Sequence, residues 1–118
     1  MKKTILWGLG ILALFVLAFL FLTPVLSADE AKADGKKLFT DNKCNTCHSI
    51  ESQGIEKTMA SSKAPDLSDI GSTRNAEWIS QFLQKKVDDE GKKHPKGWTG
   101  SEDDLKNLSE WLATLKKK

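Results

Sequence analysis

The chain has 118 residues, with 18 basic side chains, 16 acidic side chains and two cysteines. Two of the basic residues are Lys2 and Lys3, so the rest of the chain carries 16 residues of each sign and is formally neutral. This balance gives no electrostatic reason to expect nucleic-acid binding, and the roughly 90 residues beyond the N-terminal segment are few for a self-sufficient core.

The N-terminal segment, residues 1–26, is basic and then apolar. Two lysines precede eighteen uncharged residues, 5–22, and small residues follow. This is the order of a signal peptide, but as a helix the apolar run would be about 27 Å long, close to the roughly 30 Å thickness of a membrane's hydrocarbon core. Cleavage after Ser27 or Ala28 remains an alternative, whereas the length favours an uncleaved anchor. Either outcome exports the remainder and leaves the two lysines on the cytoplasmic side.

The exported part is predicted to be all-α. Residues 27–33 are small and charged and are predicted to form a tether. Three segments have the apolar spacing or the terminal residues of helices: 31–42, 76–87 and 102–116. Asn75 and Ser101 are the predicted N-caps of the second and third helices. Segments 49–64 and 88–100 are polar or glycine-containing and are predicted to be loops.

Both cysteines belong to one motif, Cys44-Asn45-Thr46-Cys47-His48. This spacing lets both sulfurs add to the vinyl groups of one haem while the adjacent imidazole ligates the iron. A redox Cys pair belongs in a thioredoxin-like βαβ pattern, which is not visible here, and a structural zinc site needs four ligands. A simple disulfide stays open. The motif after an export segment predicts one haem attached through Cys44 and Cys47, with His48 as an axial ligand.

Four residues outside the motif extend the pattern. Gly35 and Phe39 lie four residues apart in the first predicted helix, and Leu108 and Trp111 lie three apart in the last. Together with the motif, they resemble the class I c-type cytochromes. The resemblance implies a small cytochrome c fold over residues 34–118, with three main helices around one covalent haem c. In that family the N-terminal helix crosses the C-terminal helix, and a glycine at the crossing lets the backbones approach closely.

Two more residues gain roles from the resemblance. Ala64-Pro65-Asp66-Leu67 is similar to the family's Gly-Pro-Asx-Leu segment. There the proline carbonyl accepts a hydrogen bond from the proximal imidazole, which fixes the ring and makes the nitrogen at iron more electron-rich. Pro65 is the candidate for this role, with a plain turn proline as the alternative. Trp98 is a candidate for packing on the haem or bonding a propionate, with a core residue as the alternative.

The sixth ligand departs from the family's usual pattern. Most members supply methionine, usually before proline, in the loop ahead of the C-terminal helix. Here that loop contains no methionine and has His94-Pro95 instead. Met59 is the other candidate, but it precedes the Pro65 segment and is early for a distal ligand. His94 is therefore the predicted sixth ligand, with Met59 or an open site as alternatives.

Two strong protein ligands leave no coordination site for a substrate, so the prediction is an electron carrier rather than an enzyme. It would pass single electrons between protein redox partners at the outer face of the cytoplasmic membrane, either alone or as a subunit of a respiratory or photosynthetic complex. The alternative is a haem-based sensor or small haem enzyme whose sixth ligand leaves. Five lysines near the distal loop are candidates for docking an acidic partner, or are simply solvated: Lys85, Lys86, Lys92, Lys93 and Lys96.

Overall fold

The computed structural model describes residues 28–118, and this part of the chain forms helices and loops without a β-strand. Four α-helices follow in order: α1 (Ala28–Asp41), α2 (Ile70–Thr73), α3 (Ala76–Leu83) and α4 (Glu102–Ala113). Two 3₁₀ turns, Cys44–Thr46 and Glu51–Gln53, lie between α1 and α2. The described part is thus a small all-helical domain with three main helices, as predicted.

Helices α1 and α4 cross at Gly35. A Cβ atom on Gly35 would lie 2.2 Å from both Cβ and Cγ of Trp111. No side chain fits in that space, so glycine is what allows the two helices to approach this closely. One turn later, the Phe39 and Trp111 rings pack with centroids 6.1 Å apart and planes tilted by 57°. The four residues that extended the sequence pattern therefore meet, or lie beside, one helix crossing.

The core is built on α4. The apolar residues of segment 102–116 are buried throughout: Leu105, Leu108, Trp111, Leu112 and Leu115. Ile50 and Ile55 join it from the predicted 49–64 loop, where each donates its backbone N–H to the other's carbonyl at 2.8 and 3.1 Å. The polar composition of that segment predicted a loop and gave no sign that its two isoleucines are buried.

Helix α3 begins as predicted and ends early. The Asn75 side chain accepts a hydrogen bond from the Trp78 backbone N–H at 2.8 Å, which confirms the N-cap. The predicted end near Val87 is wrong, because α3 stops at Leu83 and Lys85 has a left-handed φ of 59°. That conformation turns the chain away toward the loop that carries His94.

The other two main helices also differ from their predicted bounds, α4 at its end and α1 at its start. The Ser101 hydroxyl accepts from the Asp104 N–H, as predicted, but α4 ends at Ala113 rather than at Lys116. Helix α1 begins at Ala28, so residues 28–33 of the predicted tether are helical. The predicted anchor, residues 1–26, lies outside the described residues. Among residues 28–118, no helix has the length and apolar character needed to cross a membrane.

Candidate haem site

The cysteine–histidine motif forms a tight turn directly after α1. Lys43 adopts a left-handed conformation with φ of 58° and ends the helical path. The backbone N–H groups of Cys47 and His48 then both donate to the Cys44 carbonyl, at 3.3 and 3.0 Å. Both cysteines are half-buried and free, so the disulfide that the sequence left open is not formed. The turn holds the two thiols and the imidazole on one short loop.

A second segment fixes the back of this turn. The backbone N–H groups of Thr58 and Met59 donate to the carbonyls of Asn45 and Thr46, at 2.9 and 3.0 Å. The Met59 side chain is 42% exposed, the largest exposure of any large apolar side chain described. Met59 is thus tied by its backbone to the motif turn, and its side chain points largely into solvent.

The His48 ring is oriented by a backbone carbonyl. Its Nδ1–H donates to the Pro65 carbonyl oxygen at 2.7 Å, the contact that the resemblance implied. A carbonyl can only accept, so the proton lies on Nδ1 and the lone pair of Nε2 is free for a metal. Burial lowers the pKa of His48 below its ordinary value, which also favours the neutral, ligating form.

Asp66 holds the Pro65 segment in place. Its carboxylate accepts from the Ser49 hydroxyl at 2.8 Å and from the backbone N–H groups of Glu51 and Ser68, each at 2.9 Å. Partial burial opposes ionisation, but the hydrogen bonds from Ser68, Glu51 and Ser49 outweigh it and hold the pKa of Asp66 well below its usual range. The carboxylate thereby links the segment that follows His48 to the segment that follows Pro65.

His94 lies opposite His48. The two ring centroids are 6.3 Å apart and the ring planes differ by 13°. A metal–imidazole nitrogen bond is about 2 Å long and a ring centre lies roughly 1.1 Å beyond the nitrogen, so two imidazoles on opposite sides of one iron have centres about 6.3 Å apart. His94 Nδ1 donates to the Lys96 carbonyl at 2.5 Å, which leaves its Nε2 free as well. The pair fits the two axial positions of a haem iron.

The protein supplies only these two imidazoles. Within the described part of the chain, no group of three or more His, Cys, Asp or Glu side chains is placed to hold a metal ion. A structural zinc site takes four protein ligands, whereas a haem iron takes four of its six from the porphyrin. Two imidazoles are therefore too few protein ligands for a structural zinc site, whereas they would suffice for a haem iron.

Trp98 is held at both its indole and its backbone by hydrogen bonds within the chain. Its indole N–H donates to the Ser101 carbonyl at 3.0 Å, and its backbone N–H donates to the Leu83 carbonyl at 3.0 Å. The half-buried ring packs against the core cluster. These contacts fit the alternative of a core residue, one that ties the end of the distal loop to α3 and to the start of α4.

Two residues near His94 were not among the predicted site residues. Phe82 packs against the His94 ring in a T-shaped arrangement, with centroids 5.4 Å apart, and Trp78 stacks on Phe82 at 4.8 Å. No role was predicted for them beyond their place in the predicted helix 76–87. The four-residue spacing of Trp78 and Phe82, which puts them above each other on a helix, was the available signal.

The five lysines proposed for docking are all exposed: Lys85, Lys86, Lys92, Lys93 and Lys96. The Lys96 ammonium donates to the Asn42 carbonyl, which belongs to the turn that leads into the cysteine motif. Among the acidic residues of the same loop, Asp89 is paired with Arg74 at 2.7 Å. That pairing leaves fewer free carboxylates to dilute the positive charge.

The family comparison agrees with this geometry. The family model described as Cytochrome c matches residues 32–116. No curated protein and no solved structure gives a significant match. The matched range covers the motif turn, both histidines and the α1–α4 crossing. The chain therefore belongs to the cytochrome c family, and its cofactor is covalently bound haem c, for which Cys44 and Cys47 form the attachment motif.

Proposed function

We propose that this haem-based electron carrier holds its iron through His48 and His94 and passes single electrons between protein partners outside the cytoplasmic membrane. The observation that carries the proposal is the opposed pair of imidazoles, with centroids 6.3 Å apart and planes within 13°. Each ring has its Nδ1 bound to a backbone carbonyl. Both Nε2 atoms are thereby left free to serve as ligands.

The chemistry that the haem supplies is a one-electron couple between ferric and ferrous iron. The chain's own residues decide how that couple is used. An imidazole is a stronger donor than the thioether that most relatives use, so it stabilises ferric iron and lowers the reduction potential. The carbonyls of Pro65 and Lys96 strengthen both donors by accepting hydrogen bonds from their Nδ1–H groups. With both axial positions filled, no site remains for a substrate.

The proposed location follows from residues 1–26. We propose that this segment is an uncleaved anchor and that the haem domain lies on the periplasmic side, since eighteen uncharged residues suffice to span a membrane. An intact mass of the membrane-extracted protein that includes residues 1–26 is expected. A mature N-terminus at Ala28 or Asp29 would show instead a carrier that is released from the membrane.

The proposed partners are acidic redox proteins. The exposed lysines around the distal loop, with Asp89 withdrawn into an ion pair, would favour such a partner electrostatically. Electron transfer to it should therefore slow as salt is raised, because screening shortens the reach of surface charges. Nucleic acid is not proposed as a partner, given the neutral balance of the exported part.

Carbon monoxide separates the carrier from the alternative, a sensor or small haem enzyme with a displaceable ligand. Carbon monoxide binds ferrous haem only where an axial position opens. The wild-type ferrous protein should bind the gas only slowly, because His94 must first leave the iron, while the spectrum of a His94→Ala variant should change at once. Rapid binding by the wild type would favour the sensor. His94→Gln, which leaves a polar side chain in the loop, serves as a second open-site variant.

A further inference from the structure

A row of stacked side chains lies behind the distal imidazole. Trp78 and Phe82 are four residues apart on α3 and so lie above one another, and Arg74 reaches the Trp78 ring from the extended residue just before the helix. The Arg74 guanidinium carbon is 4.3 Å from the centre of the Trp78 ring, within the range of a cation–π contact. Trp78 stacks on Phe82 with planes 18° apart, and Phe82 meets His94 at 74°.

The same row is tied to the loop that carries His94. Arg74 donates to the Asp89 carboxylate at 2.7 Å, and Asp89 forms a tight turn with Lys92 through two backbone hydrogen bonds of 2.8 and 2.9 Å. The loop is held again after His94, where Trp98 donates to the Leu83 carbonyl. Both ends of the loop are thus attached to α3, on either side of the imidazole.

Two contacts restrain the His94 ring itself. The hydrogen bond from Nδ1 to the Lys96 carbonyl fixes the direction in which Nε2 points. It does not by itself prevent the ring from turning about that direction. Phe82 meets the His94 ring at a steep angle, so rotation of the imidazole would drive it into the Phe82 ring. Trp78, stacked behind, keeps Phe82 from yielding.

We propose that Phe82, backed by Trp78 and by the Arg74–Asp89 pair, is a positioning residue that sets the plane of the distal imidazole parallel to that of His48. The inference rests on the proposed ligation of iron by both histidines. It adds that contacts from α3, rather than the conformation of the loop alone, determine the 13° angle between the two ring planes.

The angle has an electronic consequence. Two of the iron d orbitals can interact with the axial imidazoles. When the two imidazole planes are parallel, both rings interact with the same one of these orbitals and separate its energy from that of the other. Perpendicular planes act on the two orbitals equally and leave them close in energy. Electron paramagnetic resonance of the ferric protein reports this separation: parallel rings give a rhombic low-spin signal, and perpendicular rings give a strongly axial one.

The test compares two leucine substitutions in the intact holoprotein. Phe82→Leu removes the ring that faces His94. Phe39→Leu makes the same chemical change in the core, where Phe39 is 1% exposed and packs on Trp111 at the far helix crossing. The wild type and Phe39→Leu should share one rhombic signal, although Phe39→Leu should melt at a lower temperature. Phe82→Leu should give a more axial or a mixed signal.

A second readout measures how firmly His94 is retained. Loss of one aromatic contact should speed carbon monoxide binding to the ferrous Phe82→Leu protein by roughly two- to tenfold. Arg74→Gln, a change outside the core cluster, should shift both readouts in the same direction by a smaller amount. It keeps the proposal testable if Phe82→Leu does not fold.

Three results would overturn the inference. The first is a Phe82→Leu protein with wild-type g values and carbon monoxide kinetics. The second is a Phe39→Leu protein whose signal changes as much, since the angle would then depend on general packing. The third is a wild-type spectrum with a thioether ligand, which would remove the ligation by His94 on which the inference rests. The third result can be seen in the wild-type protein before any variant is made. It therefore distinguishes a failure of the proposed ligation by His94 from a failure of the inference about Phe82.

Discussion

The chain holds the two histidines of the site by different means. Around His48, a backbone carbonyl, a buried turn and the Asp66 carboxylate form a continuous set of hydrogen bonds. Leu67 adds another, from its N–H to the Ser49 carbonyl at 2.9 Å. Hydrogen bonds to a charged acceptor are among the stronger ones in proteins. The proximal side therefore has one well-defined arrangement.

Around His94 the support is mainly side-chain packing. One carbonyl accepts from the ring, and the remaining support comes from Phe82 and from the partly exposed Arg74–Asp89 pair. Such contacts are individually weak: an aromatic pair contributes about 0.5–1.5 kcal/mol beyond burial, and an exposed ion pair less than about 1 kcal/mol. His48 is therefore held more firmly than His94. Changes in reduction potential and in the access of external ligands to the iron should arise on the side of His94.

Exchanging the distal ligand should have the largest effect. His94→Met would replace the imidazole by a thioether, which favours ferrous iron. We expect a rise in reduction potential on the order of 0.1–0.3 V, within the roughly 0.8 V range that axial ligands span. Redox titration measures it, with Met59→Ala as the control that should leave the potential unchanged. A His94→Met protein with the wild-type potential would mean that His94 is not at the iron.

Widening the α1–α4 crossing should affect the surroundings of His48 and of His94 together. In Gly35→Ala the new methyl group would lie 2.2 Å from Trp111 atoms, so the helices must separate. We expect a loss of about 3 kcal/mol in unfolding free energy, measured by denaturant titration of the holoprotein. Gly97→Ala is the matched control, because its Cβ would meet only the end of the Lys85 side chain, at 3.6 Å. Equal stability of the two variants would contradict the crossing described here.

Removing the charge of Asp66 should weaken the proximal side alone. Asp66→Asn keeps the size but loses an ionic acceptor for three donors, and we expect a loss of about 2 kcal/mol at neutral pH. Asp88→Asn, an exposed change, should stay within about 0.5 kcal/mol of the wild type.

The effect of Asp66 should also depend on pH. Its folded-state pKa lies below the ordinary 3.8, so its contribution to stability is present above that value and is lost as pH falls toward the folded-state pKa. The wild type and Asp66→Asn should thus converge in stability as pH is lowered below about 4. A difference that stays constant with pH would assign the loss to packing rather than to charge.

The smallest effect is expected at the start of α3, which carries the distal aromatic row. Asn75→Ala removes the N-cap bond to the Trp78 N–H and should cost about 1 kcal/mol. Asn107→Ala, at an exposed position inside α4, should be neutral or slightly stabilising because alanine is the better helix former. A cost in Asn107→Ala that equals that of Asn75→Ala would show a general loss rather than a capping effect.

Much of the fold could be predicted because its signals are local. The cysteine motif needs only its own spacing, and the caps at Asn75 and Ser101 depend on residues within one helical turn. The Gly35–Trp111 crossing is a long-range contact, yet it was reachable through the resemblance to a known family. The hydrogen bond from His48 to the Pro65 carbonyl was likewise implied by the resemblance.

The features that sequence reasoning missed depend on what a residue faces. The Trp78–Phe82 spacing predicts an apolar face, but only the folded loop shows that His94, rather than the core, lies against it. The end of α3 at Leu83 depends on the backbone conformation of Lys85, a residue type with good helix propensity. The burial of Ile50 and Ile55 depends on a two-residue backbone pairing inside a polar segment.

The near-infrared spectrum of the wild-type ferric protein tests the central claim most directly. Thioether-ligated ferric haem has a characteristic near-infrared charge-transfer band, which ligation by two imidazoles does not produce. If His48 and His94 hold the iron, the wild type lacks that band and His94→Met acquires it. A wild-type protein that shows the band, and loses it in Met59→Ala but not in His94→Ala, would establish Met59 as the ligand and contradict the account.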